Sequence, residues 1–328
     1  MDVSQTQAVP HVLIAVCTNS LNKYPRHTRG PPGNLERLYV QIGAHALVFT
    51  GIFDENGLRK AISKTQAAGF DLIEIPLMNP ATFDGMLAAS LLQEYDLSVT
   101  ASLGLSDSTD LTSSDPAIVA AGEAMLADCL RILHTMGGTR LCGVIYSAMK
   151  KYLEPITAEG RKCSAAALHR LGMLAADLGI HLSLEVVNRY ETNLMNTARE
   201  ALRFLDEIES PNISVHLDTY HMNIEESDMF SPVLDVADRL GYVHIGESHR
   251  GYLGSGTVDF SSFFRALARI KYDGPIVFES FSSAVVNAEL SRSLGIWRNL
   301  WDDSDDLAAH ANTFIRSQLR AVETIALH

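Results

Sequence analysis

Eight short apolar or β-branched runs recur along this chain, and longer stretches with helical spacing separate them. The runs are AHALVF (44–49), FDLIEI (70–75), LSVTAS (97–102), LCGVIY (141–146), HLSLEVV (181–187), ISVHLD (213–218), YVHIG (242–246) and PIVFES (275–280). Near-continuous apolar runs suit parallel strands covered on both faces. The intervening patterns carry helix punctuation. NGLRKAISKTQAAG ends on Gly69, placed to cap a helix C-terminus. SSDPAIVAAGEAMLADCLRILHTMGG opens with Ser, Asp and a first-turn Pro and closes on Gly–Gly. AREALRFLDEIES is a third such pattern.

Eight strand–helix units over about 250 residues match a (β/α)8 TIM barrel. The competing doubly wound open sheet normally shows a glycine-rich turn after an early strand, and no GxGxxG or Walker motif occurs here. The expected organisation is an N-terminal extension over 1–40, poorly ordered or loosely docked, followed by one barrel domain over 41–328. The extension has Pro, Gly, Ser and Asn punctuation and several bases. It lacks the basic start of a signal peptide, while its composition leaves an organellar transit peptide open. The tail, NAELSRSLGIWRNLW (287–301) and then LAAHANTFIRSQLRAVETIAL, reads as additional C-terminal helix. That helix could close the barrel, pack beneath it or form a subunit contact.

A net charge of −13 disfavours nucleic acid as a partner. No apolar run reaches membrane-spanning length, so no membrane partner is expected. Cys17, Cys129, Cys142 and Cys163 form no CxxC pair. They read as reduced thiols of a cytoplasmic protein.

The polar residues fall in a pattern of their own. Glu185 lies near the end of the fifth run, Asp218 ends the sixth, His244 sits in the seventh and Glu279 ends the eighth, with gaps of 33, 26 and 35 residues. Each gap is about one strand–helix unit, and a barrel brings the C-terminal ends of its strands to one mouth. Three carboxylates and one imidazole suit a hard or borderline divalent ion such as Mn²⁺, Mg²⁺ or Co²⁺. Such an ion can hold two oxygens of a polyol or hydroxyketone and polarise its carbonyl, and a neighbouring carboxylate can remove the adjacent C–H proton. Asn188, Arg189, Glu191, His221, Glu247, His249 and Arg250 follow on the same loops. Arg250 and His221 are candidates to stabilise a developing oxygen anion. GYLGSG (251–256) reads as a flexible turn or, more sharply, a phosphate cradle.

LEVVNRYE, LDTYHMNIEE, HIGESHRG, FESF and GIWRNLW closely resemble the D-tagatose 3-epimerase family of ketose 3-epimerases. HIGESHRGYLGSG and FESFSS look most like its L-ribulose 3-epimerase branch. The resemblance implies a xylose isomerase-like barrel and one divalent ion, manganese above magnesium or cobalt. It makes Glu185, Asp218, His244 and Glu279 the ligands. Glu185 and Glu279 double as the catalytic pair: one removes the C3 proton to give a cis-enediolate and the other returns a proton from the far side. Glu191, His221 and Arg250 match the contacts to the oxygens around C1 to C3. Glu225 and Glu226 are expected to support the loop. Ser102 stands where some members carry cysteine and is expected at the substrate. Phe49, Phe53, Ile145 and Tyr146 are candidates for the wall around C4 to C6. The expected substrates are free ketoses: D-fructose/D-allulose, D-tagatose/D-sorbose and L-ribulose/L-xylulose. The expected assembly is a homodimer or homotetramer. Alternatives are an aldose–ketose or hydroxypyruvate-type isomerase, a metal-dependent hydrolase and a silent sugar-binding protein.

Overall fold

The computed structural model describes residues 40–325. The expected extension therefore lies outside the described residues apart from Val40, and Cys17 lies outside with it.

Eight parallel strands close into a barrel in sequence order. They are β1 (Ile42–His45), β2 (Leu72–Pro76), β3 (Ser98–Ser102), β4 (Arg140–Gly143), β5 (His181–Val186), β6 (Ile213–Asp218), β7 (Leu240–Ile245) and β8 (Ile276–Phe278). β1 pairs with β8 to complete the ring. The helices are α1 (Glu55–Ala67), α2 (Gly85–Glu94), α3 (Pro116–Thr135), α4 (Ala158–Asp177), α5 (Ala198–Ile208), α6 (Thr219–Glu225), α7 (Ser231–Val236), α8 (Phe260–Arg269), α9 (Ala288–Ser293) and α10 (Ser304–Ile325).

The loops at the strands' C-terminal ends are closed by caps. Asp54, Asp84, Asp115, Thr157 and Asp259 each accept a backbone N–H in the first turn of α1, α2, α3, α4 and α8. Thr197 and Glu200 form a reciprocal capping box on α5. Each cap satisfies an otherwise unpaired helix donor and sets where the loop ends.

Two strands stop well before their apolar runs end, for reasons visible in the backbone. β1 stops at His45 because its Nδ1 accepts the Leu47 N–H, which turns Ala46–Val48 into a 3-10 helix. β4 stops at Gly143, whose φ is +110°. A Cβ there would lie 2.3 Å from the Leu103 carbonyl oxygen, so only glycine fits. The tail departs further: α9 ends at Ser293, and Gly295 at φ +66° turns the chain away. The expected helix over 287–301 is thus one short additional helix and an irregular segment. α10 then packs on α8 and closes the outer ring against the end of α1. Asn312 donates to the Ala68 carbonyl at 2.7 Å, and Arg316 donates to Gly69 O and Asp71.

Alternation along the strands separates two interiors. Residues such as Ile73, Ala101, Leu141, Leu184, Val215 and Val243 face the helices and join the main apolar core. Leu72, Cys142, Tyr242 and Val277 form a smaller cluster inside the barrel. Polar side chains continue this inner column toward the C-terminal mouth.

Candidate metal centre and active site

Asp218 and His244 are direct partners in the β6–β7 register, so their side chains lie side by side. Glu185 stands one residue before the end of β5, and Glu279 one residue past β8. Together the four present ligand atoms that all lie within 4.8 Å of one another, and all four residues are buried. The two glutamates come from the outer strands of this arc, and Asp218 and His244 fill its centre. His244 Nδ1 lies 3.6 Å from an oxygen of Glu185 and 3.6 Å from one of Glu279.

The donor set suits a divalent cation on three grounds. The oxygens are hard donors and the imidazole is borderline. His244 Nε2 lies 2.8 Å from Glu74 Oε2; a carboxylate oxygen only accepts, so Nε2 carries a proton. Nδ1, buried and aimed at the acids, has no hydrogen-bond partner and is the nitrogen left for a ligand. Finally, burial pushes the carboxyls of Glu185 and Asp218 above their usual range, and nearby Glu279 adds to both shifts. Burial also acts upward on Glu279, but the Arg250 guanidinium and then His244 outweigh it and hold that carboxyl low. A bound cation would favour the ionised form of all three.

Asp218 does two things at once. Its Oδ1 accepts the Tyr220 N–H at 2.6 Å and caps α6, while its Oδ2 lies 3.2 Å from Arg250. Arg250 also pairs closely with Glu279. Its guanidinium lies 3.9 Å from the Tyr220 ring centre and 5.0 Å from that of Phe281, a packing that favours a planar cation. The Arg250 backbone is left-handed, at φ +63°. Its N–H donates to the Glu247 carbonyl and its carbonyl accepts from the Ser280 hydroxyl, which in turn accepts the Trp301 indole N–H. Strain of this kind persists where surrounding bonds over-determine it.

His221 is buried 3.7 Å from Glu185 and 3.8 Å from Asp218. Its Nδ1 accepts the Asn188 backbone N–H, so Nε2 carries the proton and points toward those acids. Burial and then Arg250 keep the ring neutral. Asn188 donates to Glu191 at 2.9 Å. Glu191, Tyr220, Arg250, Phe281, Ile296 and Trp297 help line a cleft of about 260 Å³. That is near the lower end of small-molecule sites, about 300–1,000 Å³.

Other expected residues lie elsewhere. Ser102 is outside the cleft lining, and its hydroxyl meets His45 Nε2 at 3.2 Å. Phe49, Ile145 and Tyr146 are fully buried in the main core and lie outside the cleft lining. Tyr146 instead donates to the Glu185 carbonyl at 2.8 Å. Phe53 packs with the Leu47, Phe281, Val286 and Leu290 cluster. The segment after α9 supplies the outer wall. Glu225 pairs with Arg189, and Glu226 accepts the Ala198 N–H at the start of α5. His249 folds back to accept the Gly251 N–H. The cradle reading of GYLGSG fails because the Glu247 carboxylate already accepts the N–H groups of Ser248, Gly254 and Val258. This loop is built around an internal anion.

Sequence reading did not single out Glu74, His45 and Tyr242. One signal was present: Glu74 is an acid in the middle of the apolar run LIEIP.

Residues 62–312 match the family model described as the xylose isomerase-like TIM barrel. A ketose 3-epimerase of Arthrobacter globiformis is 62% identical over 289 residues, 88% of this chain and 100% of that protein. An L-ribulose 3-epimerase of Methylomonas sp. (strain DH-1) is 57% identical over 279 residues, 85% of this chain and 98% of that one. Among solved structures, a D-allulose 3-epimerase from Methylomonas sp. in complex with D-allulose superposes with a TM-score of 0.84 at 57% identity, covering 85% of this chain and 97% of that chain.

Proposed function

The chain belongs to the ketose 3-epimerases of the xylose isomerase-like TIM-barrel family, and from that premise we propose how its mouth inverts a sugar carbon. The protein is an isomerase that interconverts free ketoses at C3, and it uses a divalent metal ion. We assign Mn²⁺ as the preferred ion, with Glu185, Asp218, His244 and Glu279 as its ligands.

The observation that carries the assignment is the arc of four buried ligand atoms within 4.8 Å, with a carboxylate at each end. When bound, the ion supplies Lewis-acid polarisation of the sugar's oxygens and so acidifies the C3 hydrogen. Glu185 and Glu279 flank the centre from β5 and from beyond β8, as two bases must in order to reach opposite faces of one carbon. One takes the C3 proton, leaving a cis-enediolate, and the other returns a proton to the other face. The starting configuration decides which acts first. Arg250 and the Nε2–H of His221 hold the oxygens around C1 to C3 and stabilise the charge that develops there. Glu191 accepts from a sugar hydroxyl while Asn188 keeps it in place. Phe281, Ile296 and Trp297 exclude water at the rim.

The sugars are D-fructose/D-allulose, D-tagatose/D-sorbose and L-ribulose/L-xylulose. The described residues contain no helix long and apolar enough to cross a membrane. The proposed assembly is a homodimer or homotetramer in the cytoplasm, and light scattering of the purified chain tests the stoichiometry.

The deciding experiment is NMR in D₂O. Metal-stripped protein is reloaded with Mn²⁺ and given D-fructose, D-allulose, D-tagatose and L-ribulose in turn. The expected result is deuterium at C3 together with the 3-epimer. Deuterium at C1 with an aldose product would replace epimerisation by aldose–ketose isomerisation.

A further inference from the structure

Glu74 is fully buried in the middle of β2, where the other strand residues are apolar. A carboxylate in that position is costly unless donors surround it. Two donors bond it: Tyr242 donates to Oε2 at 2.7 Å and His244 Nε2 donates to the same oxygen at 2.8 Å, while the His45 ring lies beside Oε1, its Nε2 3.4 Å away. The tautomer of His45 is set independently, because its Nδ1 accepts the Leu47 N–H and leaves the proton on Nε2. Tyr242 is itself held by the Thr100 hydroxyl at 2.6 Å. The carboxylate therefore cannot turn away without breaking both of its hydrogen bonds to β7.

The orientation of His244 has a competitor. Cys142, His216 and His244 form a second group whose ligand atoms lie within 4.8 Å of one another. The His216 ring lies 4.2 Å from that of His244, and neither of its nitrogens has a hydrogen-bond partner. His244 thus belongs to two groups of ligand-capable side chains, and its ring orientation decides which one it serves.

We propose that Glu74 is the positioning residue of the metal centre. By accepting the Nε2 proton of His244 it fixes the tautomer and the ring rotation, so that Nδ1 is presented to the ion alongside Glu185, Asp218 and Glu279. Glu74 itself touches neither ion nor sugar. Carboxylates placed behind a ligating histidine raise its basicity and orient it, and their loss weakens metal binding by about 10- to 100-fold. The inference rests on the assignment of the four ligands made above.

The test is Mn²⁺ affinity, read as free Mn²⁺ by electron paramagnetic resonance, for metal-stripped parent, Glu74→Gln and Tyr242→Phe. The metal-free melting temperature of each is measured alongside. Glutamine keeps the size and an acceptor but loses the charge. The expected result for Glu74→Gln is a dissociation constant raised about 10- to 100-fold in folded protein. Tyr242→Phe frees Glu74 on one side without touching His244, and a several-fold weakening is expected. It also carries the test if Glu74→Gln fails to fold. Parent affinity retained in either folded variant would overturn the role of Glu74 while leaving the ligand assignment standing. A parent that binds no Mn²⁺ would overturn both.

Discussion

From β5 to β8 each strand brings one metal-capable side chain to its C-terminal end: Glu185, Asp218, His244 and Glu279. From β1 to β4 the strands end on His45, Pro76, Ser102 and Gly143. Both halves repeat one structural unit, with the same parallel pairing and mostly the same Asp or Thr helix caps. The difference is where charge is tolerated. Burying one carboxylate costs several kcal/mol even after relaxation. Concentrating three in one arc would let the proposed dication and Arg250 offset them together. The first half stays neutral at the mouth and reaches the arc from below through Glu74. A barrel's scaffold and its reacting groups can thus be separated by half-ring rather than by domain.

That contrast predicts very different outcomes for substitutions in the two arcs. Glu185→Gln or Glu279→Gln removes one of the two proposed bases, and kcat for C3 exchange is expected to fall about 10²- to 10⁴-fold. Saturating Mn²⁺ must be used, so that lost affinity is not mistaken for lost chemistry. Sugar binding that survives in the Gln variants, seen by calorimetry, would sharpen the assignment; undiminished turnover would break it. Arg250→Met deprives a developing anion of its donor and is expected to lower kcat about 10²- to 10³-fold.

The charged arc also makes a pH prediction. The metal-free pKa values of Glu185 and Asp218 lie above the usual carboxylate range, because burial favours their neutral forms. A group raised in the folded state contributes stability that is present below its unfolded pKa and is lost as pH rises through its folded pKa. The apo protein therefore loses stability as pH rises above the usual carboxylate range. The ion binds the ionised forms, so its stabilisation grows over the same interval. At about a hundredfold excess over Kd it is worth about 2.7 kcal/mol. Melting curves with and without Mn²⁺ should diverge as pH rises; a gap that narrows would contradict the arc's role in holding the cation.

The smallest expected effect lies in the first half. Asp115→Ala removes the cap of α3, where Asp115 accepts the Ala117 N–H at 2.8 Å. It should cost about 1 kcal/mol of stability and leave kcat unchanged. A large loss of turnover there would erase the distinction between the halves.

Much of this was legible along the chain. The apolar runs announced the strands, and β6 occupies its run from end to end. Gly69 and Gly137, at φ +80° and +78°, follow their helices as the Gly signals indicated. Other features depended on contacts between distant residues. Phe49, Ile145 and Tyr146 have the composition of a sugar wall, but only the fold decides that they lie in the main core and outside the cleft lining. The run 287–301 read as helix, yet Gly295 at φ +66° breaks it, and the irregular segment beyond takes its meaning from the cleft it borders. Glu74 and His244 lie 170 residues apart, and nothing local to either names the other.

What the amino-acid order determined by itself was local and periodic: strand, helix, cap, and one ligand-capable residue per unit along the last four strands. Those follow from hydrophobic spacing and from short-range hydrogen bonding, which act within a few residues. The tertiary structure alone decided which side chains share a volume. Closing the ring brings β2 across to β7 and turns an acid in an apolar strand into the support of a histidine, because a buried charge is stable only where the whole fold converges donors upon it.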